Sequence, residues 1–192
     1  MYALERFGIT ETNREKLYCF IGPPLVESFQ KYYGFSFEEA QRALGIYREY
    51  FSVHGLYENT VYEGCEAFLK ALQKKNIPLV LASSKPEVYV KRILKHFSLD
   101  GYFTFIGGSD LEETRVRKAD VLSYCMDSLK NVDPSSCVMI GDRLHDVLGA
   151  KAHGMKSIGV LYGYGSKEEL INAGADYVAR DFKELEQIIF AL

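Results

Sequence analysis

The sequence predicts an α/β protein in two parts, a small all-helical unit over residues 1–58 and a parallel sheet with helical crossovers over residues 62–192. Three observations carry this expectation. From about residue 62 onward, short apolar runs alternate with amphipathic stretches, the pattern of strands joined by crossover helices. Before residue 58 the apolar periodicity is helical throughout and is punctuated by turn residues. Finally, 192 residues with 47% hydrophobic and 26% charged content suffice for one sizeable core and a smaller appendage.

In chain order, residues 1–7 read as the last turns of an amphipathic helix, with Ala3, Leu4 and Phe7 on one face, so the sequence opens inside a helix. Gly22-Pro23-Pro24 breaks the chain and puts proline at a helix start; the helix that follows stops at Gly34. Ser36 with Glu39 three residues on forms a capping box, opening a helix that runs through Phe51 to Gly55. The aromatic residues Tyr32, Tyr33, Phe35, Phe37, Tyr47, Tyr50 and Phe51 are expected to pack this unit. In the second part the apolar runs predict strands over 78–83, 103–106, 137–140, 157–161 and 177–179. Helices are expected over 65–75, 87–97, 119–130, 145–153, 167–172 and 182–191. Ser166 with Glu169 and Asp181 with Glu184 supply two further capping boxes.

A net charge of −3 and a pI near 5.9 provide no basic footprint for nucleic-acid phosphates or anionic lipid, so neither partner is expected. No apolar stretch reaches the ~18 residues that cross a bilayer, and no signal sequence opens the chain. Cys19, Cys65, Cys125 and Cys137 are scattered and never spaced Cys-x-x-Cys, which predicts buried free thiols in a reducing cytoplasm.

In an open parallel sheet the site lies outside the carboxyl ends of the strands, so the residues just after each strand are the ones to read. After Leu79-Val80-Leu81 come Ser83-Ser84-Lys85-Pro86, whose hydroxyls and amides suit either a phosphate seat at a helix start or a plain N-cap. After Val138-Met139-Ile140 comes Gly141-Asp142-Arg143-Leu144-His145-Asp146, two carboxylates four residues apart at a strand end. Carboxylate oxygens are what a hard cation such as magnesium takes; a helix cap is the structural alternative. Lys118 opens a helix, where the positive dipole end disfavours a cation unless an anion lies near; otherwise it is a solvated lysine.

A strand-end serine, a lysine before a helix and a strand-end Gly-Asp-x-x-x-Asp, in that order, resemble motifs of the haloacid dehalogenase phosphatases. The resemblance spans essentially the whole chain. It includes Val61-Tyr62-Glu63-Gly64 before the first core helix, and Gly163-Tyr164-Gly165 followed by Ala173-Gly174-Ala175-Asp176-Tyr177 near the end. It is nearest to the phosphoglycolate phosphatase and 5′-nucleotidase-like branch. The resemblance implies a Rossmann-like core with residues 1–58 as a helical cap, Gly22, Pro23 and Pro24 forming its substrate-facing loop, and small phosphorylated metabolites as substrates. It implies that Ser83 and Ser84 bind the phosphoryl group with Lys118, that Ser83 and Lys118 serve catalysis, and that Asp142, supported by Asp146, holds Mg2+. The family's nucleophile and acid lie in an Asp-x-Asp motif on the first core strand, before the cap. No Asp-x-Asp occurs in these 192 residues, so the resemblance places the first core strand outside this sequence and implies a truncated, inactive chain. Two alternatives stand beside it, a binding protein for phosphate ligands without turnover, and a phosphomutase or dehalogenase of the same fold.

Overall fold

The structure, a computed structural model, describes residues 1–112 and 114–192, and its chain falls into two compact units, Met1–Thr60 and Val61–Leu192. Among the described residues no helix is long and apolar enough to cross a membrane.

In the first unit, helix α1 (Tyr2–Glu5) is followed by a 3-10 turn (Arg14–Phe20), α2 (Leu25–Tyr33) and α3 (Phe37–Tyr50), which continues into one π-helical turn (Phe51–Gly55). Both halves of the capping box at Ser36 form. Its hydroxyl accepts from the Glu39 amide at 3.2 Å, and the Glu39 carboxylate accepts from the Ser36 amide at 2.8 Å, so two amides at the start of α3 are satisfied. Ala3, Leu4, Phe29, Ala40 and Ala43 form the buried centre. The aromatic residues pack only in part. Phe35 stacks on Phe29 with ring centroids 5.7 Å apart and Tyr47 on Phe51 at 5.0 Å, whereas Phe37, at the first position of α3, is 61% exposed.

The second unit follows the order α4 (Cys65–Lys74), β1 (Val80–Pro86), α5 (Glu87–His96), β2 (Phe105–Ser109), α6 (Lys118–Ser128) and β3 (Val138–Gly141). It continues through α7 (Leu144–Ala152), β4 (Lys156–Val160), α8 (Lys167–Ala173), β5 (Tyr177–Ala179) and α9 (Phe182–Ala191). Every strand pair is parallel, as the helical crossovers require. Pairing divides the strands into β1-β2 and β3-β4-β5. Along each strand the side chains alternate between two faces. Leu81, Ile106, Ile140 and Ile158 share a core with Phe68, Leu72, Leu94 and Leu185 of the helices, while Ala82 and Met139 pack on the other side against Leu122, Ala150 and Met155.

Strand β1 runs on to Pro86 instead of ending at residue 83. Ala82 pairs with Gly107 and Pro86 with Ser109, so four steps along β1 are set against two along β2 and the chain bulges over Ser83, Ser84 and Lys85. Proline keeps the residue before it extended, which prevents α5 from starting earlier. The cysteines are all free, but only Cys125 is buried; Cys19, Cys65 and Cys137 are half-buried.

Candidate active site

The candidate residues of the second unit come together where β1 and β3 end. Ser83, Lys85, Lys118, Asp142 and Asp146 all border one cleft of about 350 Å³, along with Leu81, Ile140 and neighbouring strand residues. Ser84 lies in the same bulge but is not among the residues that border the cleft. Neither serine caps α5. That place falls to Pro86, and the Ser83 hydroxyl instead accepts from the Lys85 amide at 3.1 Å, closing a tight turn within the bulge.

Lys118 is the first residue of α6, and the anion that its position at the positive helix end calls for is present. Its ammonium lies 3.0 Å from Asp146 Oδ1 and donates to the Ala82 carbonyl at 2.6 Å, with both side chains only 10% exposed. The second oxygen of Asp146 accepts from the Arg143 amide at 3.1 Å, which caps α7 from within its first turn. Gly141 makes this possible, because a β-carbon there would stand 2.2 Å from Asp146 Cγ.

Asp142 follows β3 directly, and its Oδ2 accepts from the Tyr164 amide at 2.7 Å. The loop after β4 presses on it closely. A β-carbon on Gly163 would come within 2.3 Å of Asp142 Cβ, and one on Gly165 within 1.9 Å of the Asp142 carbonyl oxygen. The Gly-Tyr-Gly run therefore lets backbone approach backbone around the carboxylate.

A magnesium ion takes one or two carboxylates and completes its octahedron with water and phosphate oxygens. Asp142, which borders the cleft, fits that requirement as a direct ligand. Asp146 has both oxygens engaged, by Lys118 and by the Arg143 amide, which suits it to hold the lysine and the turn. Among the described residues no group of three or more His, Cys, Asp or Glu side chains could hold a metal ion.

Gly22, Pro23 and Pro24 belong to the first unit, where Pro24 is the N-cap of α2 and its carbonyl accepts from the Ser28 hydroxyl at 3.1 Å. Two features of the second unit went unread in the sequence. Lys85 lines the cleft, and burial pushes its ammonium down to about 8. Its place directly after the serine pair was the available signal. The other is Glu169, which the capping-box pattern assigned to Ser166 but whose carboxylate points elsewhere. It accepts from Arg143 Nε and from the Leu144 amide, both at 2.9 Å.

Residues 1–160 match the family model described as haloacid dehalogenase-like hydrolase. A 5′-nucleotidase of Pseudomonas aeruginosa is 42% identical over 188 residues, 98% of this chain and 85% of that protein. A solved structure from Clostridium acetobutylicum, described as a predicted phosphatase, superposes with a TM-score of 0.96 at 46% identity, covering 100% of this chain and 88% of that one. The tyrosine-protein kinase PtkA of Mycobacterium tuberculosis is 34% identical over 164 residues, 85% of this chain but 55% of that protein.

Proposed function

This chain belongs to the haloacid dehalogenase-like hydrolases, and from that premise we propose that its cleft is the phosphate and magnesium site of a phosphatase for small phosphomonoesters, 5′-nucleotides before phosphoglycolate. The single observation that supports this reading is that Ser83, Lys118, Asp142 and Asp146 border one cleft where two parallel strands end. The first similar protein named above, a 5′-nucleotidase, supports the choice of substrate class.

In this reading Lys118 neutralises the charge of the transferring phosphoryl group, held in place by Asp146 and the Ala82 carbonyl, and the Ser83 hydroxyl donates to a phosphoryl oxygen. Asp142 holds Mg2+, which when bound supplies Lewis-acid stabilisation of phosphate oxygens. The 192 residues contain no Asp-x-Asp, so in this reading they do not turn over by themselves. A strand carrying that motif, seated between β1 and β3, supplies the attacking carboxylate and the acid. The same absence favours one second reading, a phosphate-binding protein without turnover.

The experiment compares residues 1–192 alone with the same residues carrying an N-terminal strand that ends in Asp-x-Asp, assayed on a 5′-mononucleotide and on phosphoglycolate across a magnesium titration. The extended protein is expected to hydrolyse the nucleotide, and Asp142→Asn in it to lose rate and magnesium affinity together. Phosphate binding without hydrolysis by the extended protein selects the second reading. Robust turnover by residues 1–192 alone, or an Asp142→Asn enzyme with unchanged metal dependence, refutes the assignment.

A further inference from the structure

The capping box at Ser166 is only half made. The Ser166 hydroxyl accepts from the Glu169 amide at 3.0 Å, the expected first half. The return half is missing because one oxygen of the Glu169 carboxylate takes both Arg143 Nε and the Leu144 amide, 26 and 25 residues back along the chain. A carboxylate that only served its own helix would satisfy an amide of that helix. This one instead ties the start of α8 to the two residues that follow Asp142. Its partners are well shielded, with the Arg143 and Glu169 side chains 15% and 22% exposed. Burial works to raise the Glu169 carboxyl, but the Leu144 amide and the Arg143 guanidinium outweigh it and hold the group below the usual range, hence ionised.

Asp142 is thus gripped from both sides by one segment of chain. Ahead of α8, the Tyr164 amide holds its carboxylate, and Gly163 and Gly165 lie against its β-carbon and carbonyl. Inside α8, Glu169 holds the turn leaving it. Residue 143 is itself held by backbone and side chain, since its amide donates to Asp146 and its guanidinium to Glu169.

We propose that Glu169 is a positioning residue of the metal site: by holding Arg143 and the Leu144 amide it sets the direction in which Asp142 presents its carboxylate to a divalent cation. The inference rests on the reading that Asp142 is a magnesium ligand. Groups that orient a ligand in this way are typically worth about 10–100-fold in metal affinity.

The test measures cation binding directly, by calorimetry with Mg2+ and by paramagnetic relaxation with Mn2+, on residues 1–192 with no turnover needed. The proteins are the wild type, Asp142→Asn, Glu169→Gln, Glu169→Ala and Ser166→Ala. Ser166→Ala is the control for stability, because it removes the cap of α8 without touching Arg143. We expect Asp142→Asn to lose binding, Glu169→Ala to weaken it by at least about 10-fold, Glu169→Gln to fall between, and Ser166→Ala to lower the melting temperature with affinity unchanged. Unchanged affinity in Glu169→Ala alongside loss in Asp142→Asn overturns the inference and leaves the metal reading standing. Equal losses in Ser166→Ala and Glu169→Gln also overturn it, since the effect is then one of stability. No binding by the wild type, or unchanged binding in Asp142→Asn, removes the metal reading and the inference together.

Discussion

Replacing Lys118 by Met keeps an apolar stem one atom shorter and removes the ammonium, with both its charge and its hydrogen-bond donors. What remains is Asp146 with a side chain 10% exposed, its Oδ1 without the cation that stood at 3.0 Å, and an Ala82 carbonyl without its 2.6 Å donor. Breaking a buried pair by removing one partner costs about 3–5 kcal/mol, because the surviving charge stays desolvated. Against the ~5–15 kcal/mol that holds a typical domain together, that is a large share. At about 2–4 °C per kcal/mol for a chain of this size, the melting temperature should fall by roughly 6–20 °C. Adding Asp146→Asn removes the stranded charge while keeping an acceptor for the Arg143 amide, so the double variant should be more stable than Lys118→Met alone. The coupling between the two sites should be about 2–3 kcal/mol. Urea unfolding followed by far-ultraviolet circular dichroism measures this, the chain having no tryptophan to report by fluorescence. A cost below about 1 kcal/mol for Lys118→Met, or costs that simply add in the double variant, would refute the argument that this pair is buried and mutually dependent.

Gly165→Ala would place a β-carbon 1.9 Å from the Asp142 carbonyl oxygen, a clash with backbone that no rotamer relieves. It should destabilise by about 1–3 kcal/mol and weaken Mn2+ binding, whereas Gly101→Ala, with nothing within 4 Å, should leave both unchanged. Lys85 yields a pH dependence. Burial lowers its ammonium from the ordinary 10.5 to about 8, so between those values the unfolded chain keeps a proton that the fold has released, and stability from this group rises with pH. Relative to Lys85→Met, the wild type should therefore gain up to about 3 kcal/mol between pH 7 and pH 10.5; paired urea titrations at the two pH values check it, and a constant difference would contradict the burial argument.

The sequence by itself determined the order of the secondary elements, because apolar periodicity, caps and helix stops are local and each is read within a few residues. Strand β5 and helix α9 span the ranges expected, and Ser36 caps α3 by the two bonds that its spacing with Glu39 implies. The turn at Gly141-Asp142 was legible for the same reason, since a glycine and two acids after an apolar run need no distant partner to be noticed. What only the tertiary structure decided depends on partners far along the chain. The bulge that carries β1 to Pro86 arises from pairing with β2 some twenty residues on, and no local signal in the apolar run at 78–83 encodes it. Lys118 on its own read rather as a solvated lysine, until packing brought Ala82 and Asp146 to it from opposite directions in sequence. Glu169 matched a local capping pattern, and lost half of it to Arg143 and Leu144 because two shielded donors, one of them charged, hold a carboxylate more strongly than one exposed amide of its own helix.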